Sequence, residues 1–393
     1  MSGGLRLYWL HNIPSPYRNH RFEWMAKVFP SLGIDFEVLF MAGTQPDRFW
    51  RFRPEDLRYP WSMHGGVPLP SIGGHNVHFN AGLLNRLRRD KPEMLVVGGW
   101  ESPTAVLAPW ACGGRTIRIM ESESNFDSGR TGPLFRRLKG TVIRRYDGYI
   151  VPGPRARALV EWLDPVSKTK PFVELPNLVN ESIYVEGIDR ERARRAEIRR
   201  ALGIPDGTAL WVCPARLETF KGLHLFLPLL EGVPGVTLLV AGEGSLRGEL
   251  QATIDARKLP VRLVGQKNEA EMVAMYAAAD LFVLPSLSDP SPLSAVEASA
   301  AALPLLVSTR IGNVDDVVVE GENGWRYDPG APQAFAGTVR HIASRSLEEL
   351  AAMGRRSRER HARRFDSKTC VTRVGEFFLD LSERSRSRAG GAA

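Results

Sequence analysis

Cysteine is scarce in this sequence, and long hydrophobic runs are absent. Cys112, Cys213 and Cys370 are the only cysteines among 393 residues, and they form neither a CxxC pair nor a cluster with histidine. This spacing excludes a disulfide framework and the usual zinc motifs, and it predicts reduced, buried thiols. Because no run approaches the roughly 18 apolar residues that cross a bilayer, we expect a cytoplasmic protein without a transmembrane helix.

The sequence also lacks a segment with the pattern of a signal peptide. The apolar stretch Leu5–Leu10 is soon followed by His11, Pro14 and Arg18, so it is too short for a signal h-region. We interpret it as the first β-strand of a folded domain.

What the sequence does contain is enough material for two folded domains. At roughly 100–200 residues per domain its length predicts two, and 43% hydrophobic and 24% charged residues allow each half to bury a core. The formal net charge of +8 permits an acidic partner such as nucleic acid, anionic lipid or a phosphorylated substrate. Because the sequence shows no nucleic-acid recognition motif, we do not expect nucleic acid as a partner.

Short apolar runs alternate with helical segments along both halves. In the first half the runs predict strands at Leu5–Leu10, Ile34–Met41, Met94–Val97, Thr116–Met120, Gly148–Val151 and Phe172–Leu175. In the second half they predict strands at Ala209–Cys213, Val236–Ala241, Val261–Val264, Leu281–Leu284 and Leu305–Ser308. Such alternation favours parallel sheets covered by helices on both faces. The predicted fold class is therefore α/β, with two doubly wound, Rossmann-like domains.

The predicted boundary between the domains lies in a stretch rich in arginine and glutamate that ends in a Pro-Asp-Gly turn. We predict an N-terminal domain over residues 1–180, a linker over residues 181–207 and a second domain over residues 208–364. A helix in residues 365–393 is predicted to cross back to the first domain. Since ligands of doubly wound domains bind beyond the carboxyl ends of the strands, we expect the site in a cleft between the two domains.

Two cations follow the first predicted strand of the second half. Arg216 and Lys221 come just after Ala209–Cys213, and Gly222 stands at a predicted helix start. A strand end, two cations and the free N–H groups of a helix start together suit a diphosphate. Taken alone, two cations in a loop are more often part of an ordinary solvated surface.

Two carboxylates, eight residues apart, follow a later strand. The prolines on either side of Ser291 keep Asp289 in the loop after Leu281–Leu284, and the helix that follows carries Glu297 in its second turn. Both carboxylates are thereby placed near one helix N-terminus. The alternative from spacing alone is an acid that stabilises the helix dipole together with an ordinary helix glutamate.

Taken in order, these segments resemble the group 1 (family 4) nucleotide-sugar glycosyltransferases, which are retaining enzymes of the GT-B fold. The resemblance is dense over residues 173–328 and thin over the first 150 residues. The matching segments are Val173–Asn180, Ala215–Gly222, Val240–Gly244, Val264–Gly265, Tyr276–Ser286 and Asp289–Pro304. The resemblance implies two Rossmann-like domains facing a central cleft.

The resemblance also implies a role for each matching residue. Arg216 and Lys221 would hold the donor diphosphate. Asp289, in the first acidic position of the family's E-x7-E motif, would contact the donor sugar, and Glu297 would bind the ribose hydroxyls. The remaining donor-site residues would border the base, the phosphates or the sugar: Gly265, Gln266, Ser291, Pro292, Leu293 and Ser294.

The chain departs from the family pattern on both sides of the expected site. The first acid of the motif is Asp289 where the family has glutamate, so its reach is one methylene shorter. The N-terminal domain lacks the family's Gly-Gly loop after the first strand and its later histidine, which leaves the acceptor side to be identified. The candidates there are His11, Pro16, Arg18, Glu121, Ser122 and Glu123.

The predicted reaction is a metal-independent, retaining transfer of a sugar from a nucleoside diphosphate sugar, with no cofactor. Cationic side chains and helix amides would stabilise the charge on the departing nucleotide. The sequence leaves open the acceptor (a glycan, a lipid-linked glycan or a small molecule) and the choice between front-side attack and a covalent step. Two alternatives are a catalytically inactive binding subunit of a glycosylation complex and a nucleotide-sugar epimerase.

A basic amphipathic helix is predicted in the first half, over residues 134–146. Its apolar residues share one side of a helix: Leu134, Phe135, Leu138, Val142, Ile143 and Tyr146. Its basic residues flank or oppose that side: Arg136, Arg137, Lys139, Arg144 and Arg145. Two packings fit this pattern. Either the helix lies peripherally on the anionic inner face of a membrane, with charge added by Arg86, Arg88 and Arg89, or its apolar side packs on the sheet.

Overall fold

A computed structural model describes residues 4–43, 53–72, 75–100, 102–127 and 132–390. The chain divides into two compact units. Unit 1 comprises Met1–Leu178 together with Ser367–Ala393, and unit 2 comprises Val179–Asp366. Each unit is built on its own parallel sheet, as the alternation of strands and helices predicted.

Unit 1 contains a doubly wound sheet and a small hairpin. Its strands are β1 (Leu5–His11), β2 (Ile34–Phe40), β3 (Trp61–Met63), β4 (Val67–Ile72), β5 (His75–Phe79), β6 (Met94–Gly98), β7 (Ile117–Glu121), β8 (Gly148–Val151) and β9 (Phe172–Glu174). In the described part of unit 1, seven strands pair in the order β3-β2-β1-β6-β7-β8-β9, and β4 and β5 form the antiparallel hairpin. The chain order reverses between β1 and β6, and such a switch point is where sheets of this kind bind ligands.

The central strand β1 is buried on both faces, which is typical of a parallel sheet covered by helices. The helices that follow the strands of unit 1 are α1 (Pro16–Val28), α2 (Ala81–Asp90), α3 (Pro103–Ala111), α4 (Pro133–Ile143) and α5 (Pro154–Leu163). Trp9 packs in the core on one face, with its ring 5.5 Å from that of Phe22 in α1. Leu10 packs in the core on the opposite face with Leu87 of α2. Alternate residues of one strand therefore hold two layers of helices.

Unit 2 repeats the doubly wound plan. Its strands are β10 (Ala209–Pro214), β11 (Val236–Ala241), β12 (Val261–Leu263), β13 (Leu281–Leu284), β14 (Leu305–Ser308) and β15 (Gly324–Tyr327). They pair in parallel in the order β12-β11-β10-β13-β14-β15, so the switch point lies between β10 and β13. The helices are α6 (Ile188–Arg192), α7 (Arg195–Ala201), α8 (Leu223–Phe226), α9 (Arg247–Arg257), α10 (Glu269–Ala278), α11 (Leu293–Ala300), α12 (Val314–Val317), α13 (Ala336–Ala343) and α14 (Leu347–Arg364).

The segment predicted as a linker, residues 181–207, is largely helical and belongs to unit 2. A π-helical turn over Ser182–Gly187 leads into α6 and α7, and all three contact α10. Arg195 and Arg199 of α7 form ion pairs with the buried Asp280, at 2.5 and 3.0 Å. The composition of this segment predicted a linker, but two of its arginines attach α7 to the rest of unit 2.

The last helix, α15 (Ser367–Gly390), returns to unit 1. Val371, Val374 and Phe378 on α15 are buried in the same core as Trp9. The ring of Phe378 lies 6.1 Å from that of Trp9. The end of the chain therefore completes the core beside the first strand.

The cysteines are buried thiols, as predicted. Burial raises the pKa of Cys112 to about 11 and that of Cys213 to about 12, so both remain protonated at neutral pH. Within the described residues, no helix is both long enough and apolar enough to cross a membrane.

Candidate active site

In unit 2, two loops meet at the switch point of the sheet. One loop, residues 215–222, follows β10, and the other, residues 285–292, follows β13. The backbone oxygen of Phe220 accepts hydrogen bonds from the amides of Leu287 at 2.8 Å and Ser288 at 3.3 Å. These bonds join the two segments on which the sequence placed Lys221 and Asp289.

Gly222 sets how closely the two loops approach. Its φ is +70°, in the left-handed region, and a Cβ at this position would lie 2.3 Å from the backbone oxygen of Pro285. Any side chain would push the loops apart. The helix expected after Gly222 is short, since α8 covers only Leu223–Phe226. A glycine turn, more than a long helix, therefore shapes this part of the site.

Three of the predicted catalytic residues come together at these loops. Lys221 Nζ forms an ion pair with Asp289 Oδ2, and the two side chains are 13% and 15% exposed. Arg216 is exposed, and its guanidinium lies 4.9 Å from the ring centre of Phe220. The Lys221 ammonium lies 5.4 Å from the same centre. Two cations thus lie beside one aromatic ring, the carboxylate pairs with one of them, and Arg216 is exposed to solvent.

Glu297 lies in the second turn of α11, as predicted, and is bound by tyrosines. The hydroxyl of Tyr276 donates to its Oε2 at 2.9 Å, and Tyr184 forms a second side-chain hydrogen bond. Burial raises the pKa of Glu297 to about 7, and the hydrogen bonds from the tyrosines oppose part of that rise. The carboxyl group is therefore partly protonated near neutral pH in the ligand-free protein.

The other predicted donor-site residues lie in backbone turns of unit 2. Gly265 follows β12 with a φ of +73°, and its carbonyl accepts a hydrogen bond from the amide of Gly242 at 2.9 Å. Gln266 is exposed. Ser291, Leu293 and Ser294 carry the amide N–H groups expected at the start of α11, and Pro292, which has no N–H, directly precedes the helix. No group of three or more His, Cys, Asp and Glu side chains in the described ranges is arranged to hold a metal ion.

In unit 1, a cavity of about 130 Å³ opens at the switch point, beside the ends of β1, β6 and β7. Its lining contains five of the six acceptor-side candidates: His11, Arg18, Glu121, Ser122 and Glu123. The sixth, Pro16, is the first residue of α1, and its side chain lies outside the described structure. Trp100 adds an aromatic wall that the sequence did not assign to a site.

The carboxylates of this cavity are already paired. Glu121 accepts from Arg21 at 2.5 Å and from the indole N–H of Trp9 at 3.0 Å, and its ion pair is almost fully buried. Burial acts to raise the pKa of Glu121, but the positive charge of Arg21 outweighs it and the pKa is lowered. Glu123 pairs with Arg18 at 3.3 Å in a more exposed position. The cavity therefore presents a polar surface with opposite charges already paired.

His11 is the most deeply buried of the acceptor-side candidates. It is 2% exposed, and its Nδ1 has no hydrogen-bond partner among the described residues. Burial lowers the pKa of His11 well below its ordinary value, so the ring is neutral at physiological pH. A neutral imidazole in this place can exchange hydrogen bonds with a hydroxyl group.

Sequence reasoning missed the residues that hold the site together. Tyr276 was noted only as part of a matching segment, and Tyr184 lies in the stretch predicted as a linker. Arg21 carries a weak signal, because it falls one helical turn after Arg18 and thus on the same side of α1. For Tyr184 the sequence contains no local signal, since its partner is more than 100 residues away.

Comparison with known proteins shows similarity to glycosyltransferases. Residues 194–360 match the family described as Glycosyl transferases group 1. Glycogen synthase of Mycobacterium tuberculosis is 36% identical, over 65% of this chain and 64% of the relative. D-inositol 3-phosphate glycosyltransferase of Corynebacterium efficiens is 31% identical, over 51% of this chain and 49% of the relative. The chain thus spans between about half and just under two thirds of the length of these relatives.

Solved structures extend the similarity to nearly the whole chain. HepE of Anabaena, in complex with UDP and glucose, matches with a TM-score of 0.72 at 16% identity, over 96% of this chain and 100% of that one. Sucrose-phosphate synthase of Thermosynechococcus elongatus matches with a TM-score of 0.68 at 17% identity, over 96% and 98% of the two chains. The chain therefore has the GT-B fold of these solved structures, and residues 194–360 are similar to the group 1 glycosyltransferases.

Proposed function

We propose that this protein transfers a glycosyl group from a nucleoside diphosphate sugar to a hydroxylated acceptor, with retention at the anomeric carbon and without a metal ion or cofactor. The observation that carries the proposal is the cluster of Arg216, Lys221 and Asp289 at the switch point of unit 2. Open α/β sheets bind ligands at this position. Two cations there suit a diphosphate, which is the charged group of such a donor.

The donor diphosphate would exchange places with Asp289 at Lys221. In the ligand-free protein, Asp289 neutralises Lys221. A dianionic diphosphate carries more charge than one carboxylate, so it competes well for the ammonium group, and Arg216 adds a second contact. Asp289 is then released from its partner and is free to meet the sugar hydroxyls. The same two cations stabilise the charge that grows on the departing nucleotide.

Glu297 would bind the ribose of the donor. It is held by Tyr276 and Tyr184 in one orientation, so little conformational freedom is lost when a ligand binds. A ribose offers two hydroxyl donors to its carboxylate, and hydrogen bonds to the charged form favour ionisation. Donor binding would therefore lower the raised pKa of Glu297 and release a proton near neutral pH.

The acceptor would enter the cavity of unit 1. His11, Glu123 and Ser122 supply groups that bind hydroxyls, and the Trp100 ring supplies an apolar wall. Because the charges of the cavity are already paired, it favours a neutral hydroxylated group over a strongly charged one. Retention of configuration is proposed from the resemblance of the Asp289–Glu297 segment to the motif of retaining enzymes.

The test is donor turnover with defined product stereochemistry. The first donor to try is UDP-glucose, because HepE of Anabaena binds UDP and glucose. The protein is expected to release UDP and free sugar slowly without acceptor, and the first-formed product should have the α-configuration by NMR. A binding subunit would hold the nucleotide without releasing sugar. An epimerase would change the configuration of the sugar without transferring it to an acceptor. Either result contradicts the proposal.

Metal independence is tested separately. Activity is expected to be unchanged by excess EDTA, because Arg216 and Lys221 supply the positive charge that a metal would otherwise bring. Loss of activity in EDTA that is restored by magnesium or manganese contradicts this part of the proposal.

A further inference from the structure

The helix α4 of unit 1 exposes part of its apolar side. Leu134 is 72% exposed and Leu138 is 61% exposed, whereas Ile143 is fully buried. The sequence left open whether this apolar side packs on the sheet or lies on a membrane. In the structure, the apolar side spans half of the helix circumference, and only its inner part reaches the core.

Tight contacts on the inner side keep α4 from turning. A Cβ at Gly140 would lie 2.8 Å from the backbone oxygen of Leu163, so the helix approaches α5 closely at this glycine. The Lys139 side chain is buried, with its ammonium 3.2 Å from the ring centre of Trp100. Leu134 and Leu138 therefore remain outside in the folded protein, and their exposure is a fixed feature of the surface.

Arginine side chains surround the two exposed leucines. At 100° per residue, Arg137 shares the outer face with Leu134 and Leu138. Arg145, just beyond the end of α4, is also exposed and lies with its guanidinium 5.4 Å from the ring centre of Trp110. Trp110 is itself 42% exposed. Apolar and cationic groups thus alternate over one surface.

Two further arginines of this helix are already engaged. Arg136 donates to the backbone oxygen of Trp162 at 3.0 Å, and Arg144 pairs with the buried Asp164 at 3.1 Å. Arg86 of α2, which was expected to add charge, instead pairs with Glu37 and Asp90. Of the described residues on this surface, Arg137 and Arg145 are therefore the cations available to a partner.

We propose that this surface, the α4 patch (Leu134, Arg137, Leu138, Arg145 and Trp110), docks unit 1 on an anionic lipid bilayer. Its charge and its apolar groups both fit that partner, because a bilayer interface offers phosphates beside hydrocarbon within one layer. The leucines enter the headgroup region, and the two arginines meet lipid phosphates. Nucleic acid would use the arginines but would gain nothing from exposed leucines. This docking does not depend on the proposed transfer reaction.

The experiment is co-sedimentation of the full chain with vesicles of phosphatidylcholine alone and of phosphatidylcholine with about one third phosphatidylglycerol. We expect binding to the anionic vesicles that weakens as salt is raised. Arg137→Glu/Arg145→Glu should lower the partition coefficient at least twentyfold, since each basic residue near the surface contributes about fivefold. Leu134→Ser/Leu138→Ser should lower it about tenfold or more.

The matched controls lie on unit 2. Arg355→Glu/Arg363→Glu makes the same change in net charge on exposed residues of α14, and Leu347→Ser removes an exposed leucine there. Neither should change the partition coefficient by more than about twofold. Urea unfolding followed by far-UV circular dichroism shows that each variant is folded, and it does so whether or not the protein catalyses the proposed reaction. No binding at low salt, or equal losses in patch and control variants, overturns the proposal. So does loss in the arginine variant alone, because it points to a purely electrostatic partner.

Discussion

The two switch points of this protein have the same backbone plan and different electrostatics. In unit 1, the Arg21–Glu121 pair at the end of β7 is almost fully buried, with side chains 3% and 6% exposed. In unit 2, the Lys221–Asp289 pair bridges the loops after β10 and β13 with side chains 13% and 15% exposed. The first pair is almost fully buried, although Glu121 borders the cavity of unit 1, whereas the second pair is more exposed to solvent.

This difference separates a structural ion pair from an exchangeable one. A buried pair that loses one partner leaves a charge without solvent, so it must stay intact. A pair at the surface of a site can give up one partner to a ligand of higher charge. The comparison teaches that the polar residues of unit 1 shape a cavity around a buried pair, while those of unit 2 form a pair that a ligand of the proposed kind could displace.

The largest expected effect comes from breaking the buried pair. Glu121→Gln keeps an acceptor for Trp9 but leaves Arg21 buried without a counter-charge, which costs about 3–5 kcal/mol of unfolding free energy. Urea unfolding followed by far-UV circular dichroism measures it. In the matched control, Glu123→Gln, the more exposed partner Arg18 can be solvated, and the cost should be about 1 kcal/mol or less. Equal costs for the two variants would contradict the contrast between buried and accessible pairs.

Removing a cation in unit 2 should lower turnover and leave the unfolding free energy almost unchanged, in contrast to Glu121→Gln. Arg216→Ala and Lys221→Ala are each expected to lower turnover a hundredfold or more, about 2–4 kcal/mol of transition-state stabilisation, with little change in unfolding free energy. Steady-state release of nucleotide from the donor measures this. Arg340→Ala, an exposed cation of α13, is the control and should keep full activity. Wild-type turnover in both site variants would remove the donor assignment.

The carboxyl groups of Glu121 and Glu297 should change the free energy of unfolding with pH in opposite directions. Glu121 has a lowered pKa, so its contribution is present above the unfolded-state pKa of about 4.5 and is lost as pH falls. Glu297 has a pKa raised to about 7, so its contribution is lost as pH rises from about 4.5 through about 7.

Glu297→Gln therefore should stabilise the ligand-free protein at about pH 8 relative to wild type, by up to about 3 kcal/mol, and much less at about pH 5. Urea unfolding at the two pH values measures the difference. Glu359→Gln, at an exposed position of α14, should stabilise the protein at neither pH. A stabilisation that is the same at both pH values would mean that Glu297 does not titrate in this range.

The smallest expected effect is a division of kinetic roles within unit 2. Glu297→Gln should raise KM for the donor about tenfold with little change in kcat, because the ribose is bound equally in the ground and transition states. Asp289→Asn should lower kcat about tenfold with little change in KM, because its contact with the sugar strengthens as charge develops. Initial rates over a range of donor concentrations distinguish the two patterns. The reverse pattern would exchange the two roles.

Much of the proposed donor site was predictable in its placement, because its residues follow strands in a fixed order. Arg216 and Lys221 come directly after β10, and Asp289 comes directly after β13. In a doubly wound sheet these two strands are neighbours, so residues 68 positions apart could be expected at one edge. The start of α11 was predictable for a similar local reason, since a proline directly before it favours a helix start.

The partners of these residues were not predictable in the same way. The contact of Glu297 with Tyr184 depends on a π-helical turn that packs on α10. The sequence did not predict this turn, because the composition of the segment indicated a linker. The pairing of Arg21 with Glu121 joins α1 to the end of β7 across 100 residues. Each contact is made by two elements whose separation depends on the packing of the whole unit.

The sequence by itself determined the α/β plan, the two sheets and the placement of the proposed donor-site residues after strands, because periodicity and strand-end positions are local properties of a chain. Only the tertiary structure decided which charges are buried, which are exchangeable, and which side of α4 faces solvent. These depend on how closely neighbouring elements approach, as at Gly222 and Gly140, where the lack of a side chain allows the backbone of another segment to come within contact distance. Burial sets the free energy of a charge, and burial is a property of the assembled unit.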